Sequence, residues 1–393
     1  MKKLFAATLI AVTTITQFAF TSEQTKPDKS FTEKAAEQTL KKQIITEAAW
    51  AMQQQPVTVT ASSSPRSAGG KHDFFSEADY FWPDPKNPDG PYINRDGLSN
   101  PNNFVEHRKA MICFSKIIGA LASAYKITGD VKYVKQAVIH LKAWFLDPET
   151  VMNPSLWFAQ AVKGQFTGRN YGIIDTIHLM EVAQGIIVME KAMDAETTAG
   201  VKKWFTDYTQ WLMTSKPGMQ ERDVKNNHAT CWAMQVASFA KLCKNEVVLD
   251  SIRIRYKTIL LPRQMGTDGS FPLELERTKP YGYSIFNLDA MSMLCQILST
   301  SQDNLWDFET PDGKSIKKGI IYLSPFVADK GKWTLKPDVM YWDNWPIAQP
   351  FLLFGANAYH ENTWLTTWQK LDHNPQVEEV IRNLPIRHPL IWF

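Results

Sequence analysis

The sequence lacks the features that define several large classes of protein. It has only four cysteines in 393 residues, and their spacing matches no zinc site. It has no Walker loop, no Gly-x-Ser-x-Gly elbow and no His-Glu-x-x-His motif, so phosphate, ester and zinc-peptidase chemistry have no support. An excess of one charge is also missing, because 43 Lys and Arg face 40 Asp and Glu. Nucleic-acid binding, which uses a broad basic field, is therefore not expected, and positive charge for an anionic partner must be local.

The four cysteines lie in apolar, helical patterns at Cys113, Cys231, Cys243 and Cys295. We expect buried free thiols, because free cysteine packs as a small hydrophobic residue. A bridge between Cys231 and Cys243 is not expected, since their separation along one helix is about 18 Å.

One apolar run opens the chain, and no later one is expected to cross a membrane. Lys2 and Lys3 precede an apolar stretch over residues 4–20. This pattern predicts a secretory signal peptide over residues 1–22, and it is too short and too Thr-rich for a membrane span. The mature chain, residues 23–393, is predicted to be a single domain in the periplasm or outside the cell. Without Lys2 and Lys3, 41 basic residues face 40 acidic ones.

Helical periodicity is what the sequence has in abundance. Apolar residues recur near a 3.6-residue period over most of the chain, and strand signals are confined to residues 57–60 and 391–393. Antiparallel helix pairs joined by short turns and long loops predict an all-α fold, an (α/α) toroid or incomplete barrel with cleft-lining loops. The predicted helices cover residues 31–53, 104–128, 131–145, 173–193, 195–214, 227–244, 246–261, 284–299, 316–327, 348–359 and 362–371.

Two long loops without periodicity are rich in aromatic residues: 72–97 and Trp333–Trp345. Long loops in a compact domain are usually functional or disordered, and their aromatic content argues against disorder. Either they line the cleft, with Tyr80, Trp82 and Trp342 as faces for sugar rings, or they wrap the scaffold without touching a ligand.

A polar cluster begins one predicted helix at Asn226, Asn227 and His228. Asn226 suits a helix N-cap, which is a structural role. A cap does not explain Asn227 and His228 together. Because a helix N-terminus attracts anions, this turn is also a natural place for the carboxylate of a uronic acid.

A second cluster contains Arg277, Lys279, Tyr281 and Tyr283. It is either a solvated arginine beside half-buried tyrosines, or a site in which Arg277 offers a bidentate fork to a carboxylate. In the second case the guanidinium would also lower the pKa of a nearby phenol.

A third group contains Arg169, Asp175 and His178, with Asp289 further along the chain. His178 has a structural interpretation as well as a catalytic one, and either aspartate would serve equally as a helix cap or an inter-helix hydrogen-bond partner. If Asp175 and Asp289 flanked one bond, the protein would be an α/α-toroid glycoside hydrolase, because that chemistry needs two carboxylates. A catalytically inactive protein that binds acidic glycans is a further alternative.

Four blocks in this order resemble the alginate lyase superfamily of α/α toroids. They are His-Asp-Phe-Phe-Ser-Glu-Ala-Asp-Tyr-x-Trp-Pro-Asp-Pro from residue 72, Gly-Arg-Asn-x-Gly-Ile-Ile-Asp from residue 168, Asn-Asn-His from residue 226 and Arg-Thr-Lys-Pro-x-Gly-Tyr-Ser-x-Phe-Asn-Leu-Asp from residue 277. The sequence is most similar to the alginate and glucuronan lyases of polysaccharide lyase family 38 from Bacteroidetes, and more distantly to the mannuronate lyases of family 5. Ser284 stands where family 5 usually has His, so strict mannuronate specificity is not implied.

The resemblance implies β-elimination on an acidic polysaccharide of 4-linked uronic acids, alginate and possibly glucuronan, with no cofactor or metal. It implies Asn227 and Arg277 as neutralisers of the carboxylate, His228 as neutraliser or base, and Tyr283 as base and acid. In mannuronate and glucuronate H5 and O4 are syn, so one phenol serves both steps. In guluronate they are anti, so His228 would be the base and Tyr283 the acid. The residues expected to bind substrate are Arg169, Tyr80, Trp82, Lys279, Tyr281 and Trp342.

Overall fold

Fifteen α-helices make up most of the part of the chain that the structure describes. The structure is a computed structural model that describes Met1 and residues 29–393, so the predicted signal peptide lies outside the described residues apart from Met1. The helices are α1 Phe31–Ala51, α2 Glu106–Thr128, α3 Lys132–Phe145, α4 Leu179–Met189, α5 Ala195–Thr214, α6 Lys216–Arg222, α7 Asn227–Leu242, α8 Glu246–Arg255, α9 Leu261–Gln264, α10 Pro272–Leu275, α11 Pro280–Leu298, α12 Ile316–Ala328, α13 Pro350–Tyr359, α14 Asn362–Lys370 and α15 Glu378–Arg382.

Six of these helices form a closed ring. Each helix contacts the next in the order α1, α2, α4, α7, α11 and α13, and α13 contacts α1 to close the ring. Helices α3, α5, α8, α12 and α14 pack against the ring as a second layer. The predicted α/α toroid is therefore confirmed. Helix α11 is buried along all but one of its 19 residues, because it has neighbours on every side and is apolar nearly all round.

Two helices differ from their predicted bounds in ways that bear on the site. The segment predicted as one helix over residues 173–193 begins as a 3₁₀-helix at Asn170–Thr176 and continues as α4. Helix α11 begins four residues earlier than predicted, because Pro280 suits the first helical position. The carboxylate of Asp338 caps this end, accepting from the next two backbone N–H groups at 2.9 Å each.

Four short strands form two small sheets beside the ring. The first sheet pairs its strands in parallel and the second is antiparallel. The first sheet contains β1 Phe75–Glu77 and β4 Phe158–Ala161. The second contains β2 Phe81–Trp82 and β3 Ile93–Asn94.

Neither segment predicted as a strand, residues 57–60 and 391–393, forms one, and each overlaps a short helix instead. Val59–Ala61 and Pro389–Trp392 form 3₁₀-helices. All four residues of Pro389–Trp392 are buried against α1, α2 and α4, so the apolar pattern reflects helix contacts rather than strand pairing.

Helix α2 has the length and apolar composition of a membrane span, which corrects the expectation that no later segment does. The bent pair formed by Asn170–Thr176 and residues 179–192 passes the same test only when taken together. In α2, 61% of the apolar window is buried inside the fold, as in the core helix of a globular protein.

All four cysteines are free, but they differ in burial. Cys231 and Cys295 are buried and Cys243 is half-buried, whereas Cys113 is exposed. The expectation of burial is therefore wrong for Cys113. It lies on the solvent side of α2, between the buried Met111 and Phe114.

Candidate active site

A cavity of about 410 Å³ lies where the start of α7, the start of α11, the β2–β3 hairpin, the segment after β4 and α15 meet. All four residues predicted to be catalytic line it. The lining residues are Asp79, Tyr80, Phe81, Asn94, Asp96, Gln160, Arg169, Tyr171, Ile174, Asp175, Asn226, Asn227, His228, Arg277, Tyr283, Phe286, Arg382 and Asn383.

Asn226 and Asn227 occupy the first turn of α7. Asn226 is its N-cap, and its side-chain oxygen accepts from the backbone N–H of His228 at 3.4 Å. Asn227 donates its backbone N–H and its side-chain amide to the buried carboxylate of Glu274, at 2.7 and 2.8 Å. Glu274 thus fixes the Asn227 amide at the cavity wall. Burial raises the pKa of Glu274, and the two donations from Asn227 offset part of that rise.

The imidazole of His228 is fixed from two sides. Its Nδ1 lies 2.6 Å from Oε1 of Glu221, whose side chain has no exposed surface. The ring of Tyr171 meets it edge-on, with centroids 5.0 Å apart. Since Nδ1 is engaged, Nε2 is the ring nitrogen left for a ligand in the cavity.

Arg277 is already paired along one edge of its guanidinium, which the sequence does not indicate. Its Nε and Nη2 donate to the two oxygens of Asp96, at 3.2 and 2.8 Å. Its guanidinium also lies 4.5 Å from the ring centroid of Tyr283. Asp96 thus uses two of the five guanidinium N–H groups, and both on Nη1 and the second on Nη2 are left for a substrate carboxylate.

Tyr283 is almost buried, and its hydroxyl donates to that of Tyr80 at 3.0 Å. Burial raises the pKa of Tyr283, and the nearby charge of Arg277 and the bond to Tyr80 lower it by less than burial raises it. Arg277 therefore lowers the phenol pKa as expected, but burial outweighs it and the net pKa is raised. The phenol of Tyr283 is therefore protonated at neutral pH.

Behind Tyr80 lies a network of buried charges. The Tyr80 hydroxyl also accepts from Nζ of Lys279 at 3.4 Å and from Nη2 of Arg382 at 3.3 Å. Lys279 is paired with Glu379 at 2.9 Å, and Arg382 bonds both Glu379 and Asp79. Lys279 does not line the cavity, so it supports Tyr80 from behind rather than binding substrate as predicted.

Arg169 is the cavity arginine without a carboxylate partner among the described residues. Arg277 pairs with Asp96 and Arg382 with Asp79, whereas Arg169 donates only to the backbone and side-chain oxygens of Gln160. Its guanidinium stacks on the rings of neighbouring Phe81 and Tyr171, at 4.8 and 5.2 Å from their centroids. An unneutralised guanidinium is well suited to an anionic sugar.

Three aromatic residues predicted to bind substrate do not line the cavity. Trp82 follows Phe81 on β2 and so faces the opposite side of the hairpin, where it stacks with Arg95. Tyr281 is fully buried, and its hydroxyl donates to the backbone oxygen of Phe326. Trp342 packs edge-on against Tyr281. These positions correct their prediction as substrate contacts.

The loop Trp333–Trp345 as a whole contributes no residue to the lining, which corrects the expectation that it forms the cleft. Trp333 and Trp345 are buried instead, because the loop packs over the start of α11 and caps it through Asp338. The other aromatic loop, residues 72–97, lines the cavity as expected, through Tyr80, Phe81, Asn94 and Asp96.

The two aspartates nominated for hydrolysis do not flank a common bond. Asp175 lines the cavity but is buried against Arg108 at 3.2 Å and accepts from Gln160. Asp289 is a buried residue in the middle of α11 and accepts from the backbone N–H of Phe351 at 3.0 Å. Burial holds its pKa well above its usual value. His178 is also structural, because it is buried against the backbone oxygen of Arg382.

Several residues of the site were not predicted from the sequence. Glu221 and Glu274 precede His228 and Arg277 by seven and three residues, and an acidic residue so near a polar cluster is a usable signal. Arg382 has no such signal, because it reaches the cavity from the far end of the chain. Among residues 29–393, no group of three or more His, Cys, Asp or Glu side chains is placed to hold a metal ion.

The comparisons with known proteins agree with this geometry. A family model described as Alginate lyase matches residues 58–333. The chain belongs to the alginate lyase family. It is therefore a polysaccharide lyase. No curated protein matches the sequence.

Solved structures of alginate lyases share the fold. The alginate lyase from Bacteroides ovatus has a TM-score of 0.80 at 30% identity, covering 92% of this chain and 96% of that one. Alginate lyase A1-III from Sphingomonas species A1 has a TM-score of 0.52 at 14% identity, covering 82% and 88%. A variant of A1-III complexed with a tetrasaccharide has a TM-score of 0.50 at 13% identity, covering 81% and 86%. The two A1-III structures support the fold alone.

Proposed function

We propose that this lyase cleaves 4-linked uronic-acid polymers, alginate first among them, by β-elimination that leaves a 4,5-unsaturated end. The observation that supports the proposal is a single cavity lined by Asn227, His228, Arg277 and Tyr283. It combines donors for a carboxylate, an imidazole with one open nitrogen and a protonated phenol. These are the groups that elimination beside a carboxylate requires.

The cavity contains a chemical group for each step of β-elimination. The α-proton of a carboxylate is very weakly acidic, so neutralising that carboxylate is the largest contribution to catalysis. Three groups supply it: the amide of Asn227, the free N–H groups of Arg277, and the guanidinium of Arg169, which has no carboxylate partner among the described residues. A base removes H5, the electron pair forms the C4–C5 double bond, the C4–O4 bond breaks, and an acid protonates O4. General acid–base help adds about 10²- to 10⁴-fold to the rate.

The protonated state of Tyr283 gives the two sugar types different pH profiles. On guluronate-rich alginate, His228 is the base and Tyr283 the acid, so a phenol protonated through the neutral range is already in its active form. On mannuronate-rich alginate, Tyr283 must first lose its proton. We expect kcat/KM on the mannuronate polymer to rise about tenfold per pH unit above neutral, while the guluronate profile does not follow it. Parallel profiles for the two polymers would contradict this assignment.

The proposal is tested with alginate, glucuronan and defined uronate blocks, by following the ultraviolet absorbance of the unsaturated product. Growth of absorbance together with new reducing ends supports elimination. New reducing ends without absorbance would indicate a hydrolase. Binding without either would indicate the inactive glycan-binding alternative.

We also propose that the chain is exported to the periplasm or the medium. Lys2 and Lys3 followed by the apolar residues 4–20 support this. Fractionation of the native host and N-terminal sequencing of the mature protein test it. The expected result is a start near residue 23 in the exported fraction, and a cytoplasmic protein that keeps residues 1–22 would contradict it.

A further inference from the structure

Glu221 lies behind His228 and does not line the cavity. It belongs to α6, which packs against α7 and against Asn170–Thr176. One carboxylate oxygen lies 2.6 Å from Nδ1 of His228, and the other accepts from the amide of Asn170 at 2.8 Å. The Glu221 side chain has no exposed surface, while 18% of the His228 side chain is exposed. The carboxylate is thus fully used by two partners inside the protein.

This contact determines which nitrogen of His228 carries the proton. An ionised carboxylate only accepts hydrogen bonds, so Nδ1 must be the N–H donor to Glu221. In the neutral imidazole Nε2 then keeps its lone pair. The edge-on ring of Tyr171, at 77° to the imidazole, fixes the plane in which that lone pair points.

We propose that Glu221 is a positioning residue that sets the tautomer of His228 and thereby enables cleavage at guluronate. The inference rests on the proposed function, in which Nε2 of His228 takes H5. As Nε2 gains that proton, the imidazole becomes a cation with N–H at both nitrogens, and Glu221 stabilises its charge. The electron pair of the C5–H5 bond forms the C4–C5 double bond, and O4 leaves with the proton of Tyr283. At mannuronate Tyr283 serves both steps, so the tautomer of His228 has less effect there.

The test is Glu221→Gln, which keeps the shape and reverses the hydrogen bond. The amide of the new side chain donates to Nδ1, and its carbonyl still accepts from Asn170. The proton of His228 then moves to Nε2, which can no longer act as a base. A comparable tautomer reversal in Ser-His-Asp triads lowers kcat about 10⁴-fold. We expect kcat on guluronate-rich alginate to fall about 10²- to 10⁴-fold, and the fall on mannuronate-rich alginate to be at least about tenfold smaller.

Two further measurements separate this role from a structural one. Nitrogen-15 NMR of labelled histidine is expected to show protonated Nδ1 in the wild type and protonated Nε2 in the variant. Glu274→Gln is the matched control, because Glu274 holds Asn227 rather than His228 and both polymers need the Asn227 amide. That variant is expected to lower both activities by a similar factor.

The outcomes decide between the alternatives. Equal losses on both polymers with Glu221→Gln, unchanged cleavage of guluronate, or an unchanged tautomer would each overturn the proposal. A wild-type protein without lyase activity on any uronate would overturn the proposed function and the specificity role with it. The NMR spectra would still decide whether Glu221 sets the tautomer.

Discussion

Replacing Tyr283 with Phe is expected to lower kcat on every uronate polymer by about 10²- to 10⁴-fold, while substrate binding is retained. The hydroxyl is the only group removed, and in the proposed mechanism it gives a proton to O4 in either stereochemistry. The phenyl ring that remains can still pack against Arg277, whose guanidinium lies 4.5 Å from the centroid of the Tyr283 ring. The loss should therefore appear in kcat and not in KM.

The chain offers a matched control two residues upstream. Tyr281→Phe also removes one phenol hydroxyl from the first turns of α11, but that hydroxyl donates to the backbone oxygen of Phe326 away from the cavity. We expect kcat to stay close to that of the wild type, with a loss of unfolding free energy of about 1 kcal/mol. Substrate depletion assays and direct binding of an oligosaccharide to both variants make the comparison. Full activity in Tyr283→Phe would remove Tyr283 from the proton transfer.

The second large effect concerns stability and lies far from the cavity, at His388. Its Nε2 is 3.0 Å from Oε2 of Glu47 on α1, and its Nδ1 is 3.1 Å from Oε1 of Glu181 on α4. Burial alone would lower the pKa of His388, but the two carboxylates raise it to about 9. Its charge lowers the pKa of Glu47 to about 2 against the opposing effect of burial. This ion triad joins the C-terminal tail to the ring.

Replacing His388 with Ala is expected to lower the free energy of unfolding by about 3–5 kcal/mol, because it leaves two carboxylates buried without their cation. The measurement is urea unfolding at neutral pH, with equal slopes confirming that midpoint shifts report stability. Tyr283 and His228 do not contact the triad, so turnover per folded molecule should be unchanged. A loss below about 1 kcal/mol would mean that the triad is not a stabilising element.

The same triad gives a pH dependence with a definite sign. The pKa of His388 is about 6.5 in the unfolded chain and about 9 in the folded one. The stabilisation is therefore complete below pH 6.5 and is lost as pH rises through 9, by about 3 kcal/mol in total. His388→Gln cannot titrate and is the control. Its stability should not show this fall over the same alkaline range, and a wild type equally flat there would contradict the raised pKa.

The fold was largely predictable because its signals are local. A 3.6-residue apolar period depends only on residues within a few turns of one another, so most helices were placed correctly. Asn226 as the cap of α7 follows from the same local logic, since its side chain bonds the backbone two residues on. The errors fall where local signals compete with packing. Residues 391–393 were predicted as a strand because they are apolar, but this segment is apolar because α1, α2 and α4 surround the 3₁₀-helix Pro389–Trp392.

The candidate site was predictable in its residue types but not in its partners. The blocks around Asn227 and Arg277 named the groups that line the cavity. They did not indicate that Asp96, 181 residues before Arg277, occupies the guanidinium fork. Nor did they indicate that burial outweighs Arg277 in setting the pKa of Tyr283. Desolvation depends on everything that surrounds a group, which neither spacing nor residue type reports.

The sequence by itself determined that this chain is an all-α toroid, that it belongs among the alginate lyases, and which amide, imidazole, guanidinium and phenol line its cavity. Helical periodicity and short motifs depend only on residues that are close in the sequence, so they can be recognised without the structure. Only the tertiary structure decided how those groups are set. It placed Glu221 behind His228, Tyr80 against Tyr283 and Asp96 on Arg277. Within residues 29–393, it left Arg169 without a carboxylate partner. Protonation states and charge balance arise from contacts between distant segments, and those contacts exist only once the ring of helices has closed.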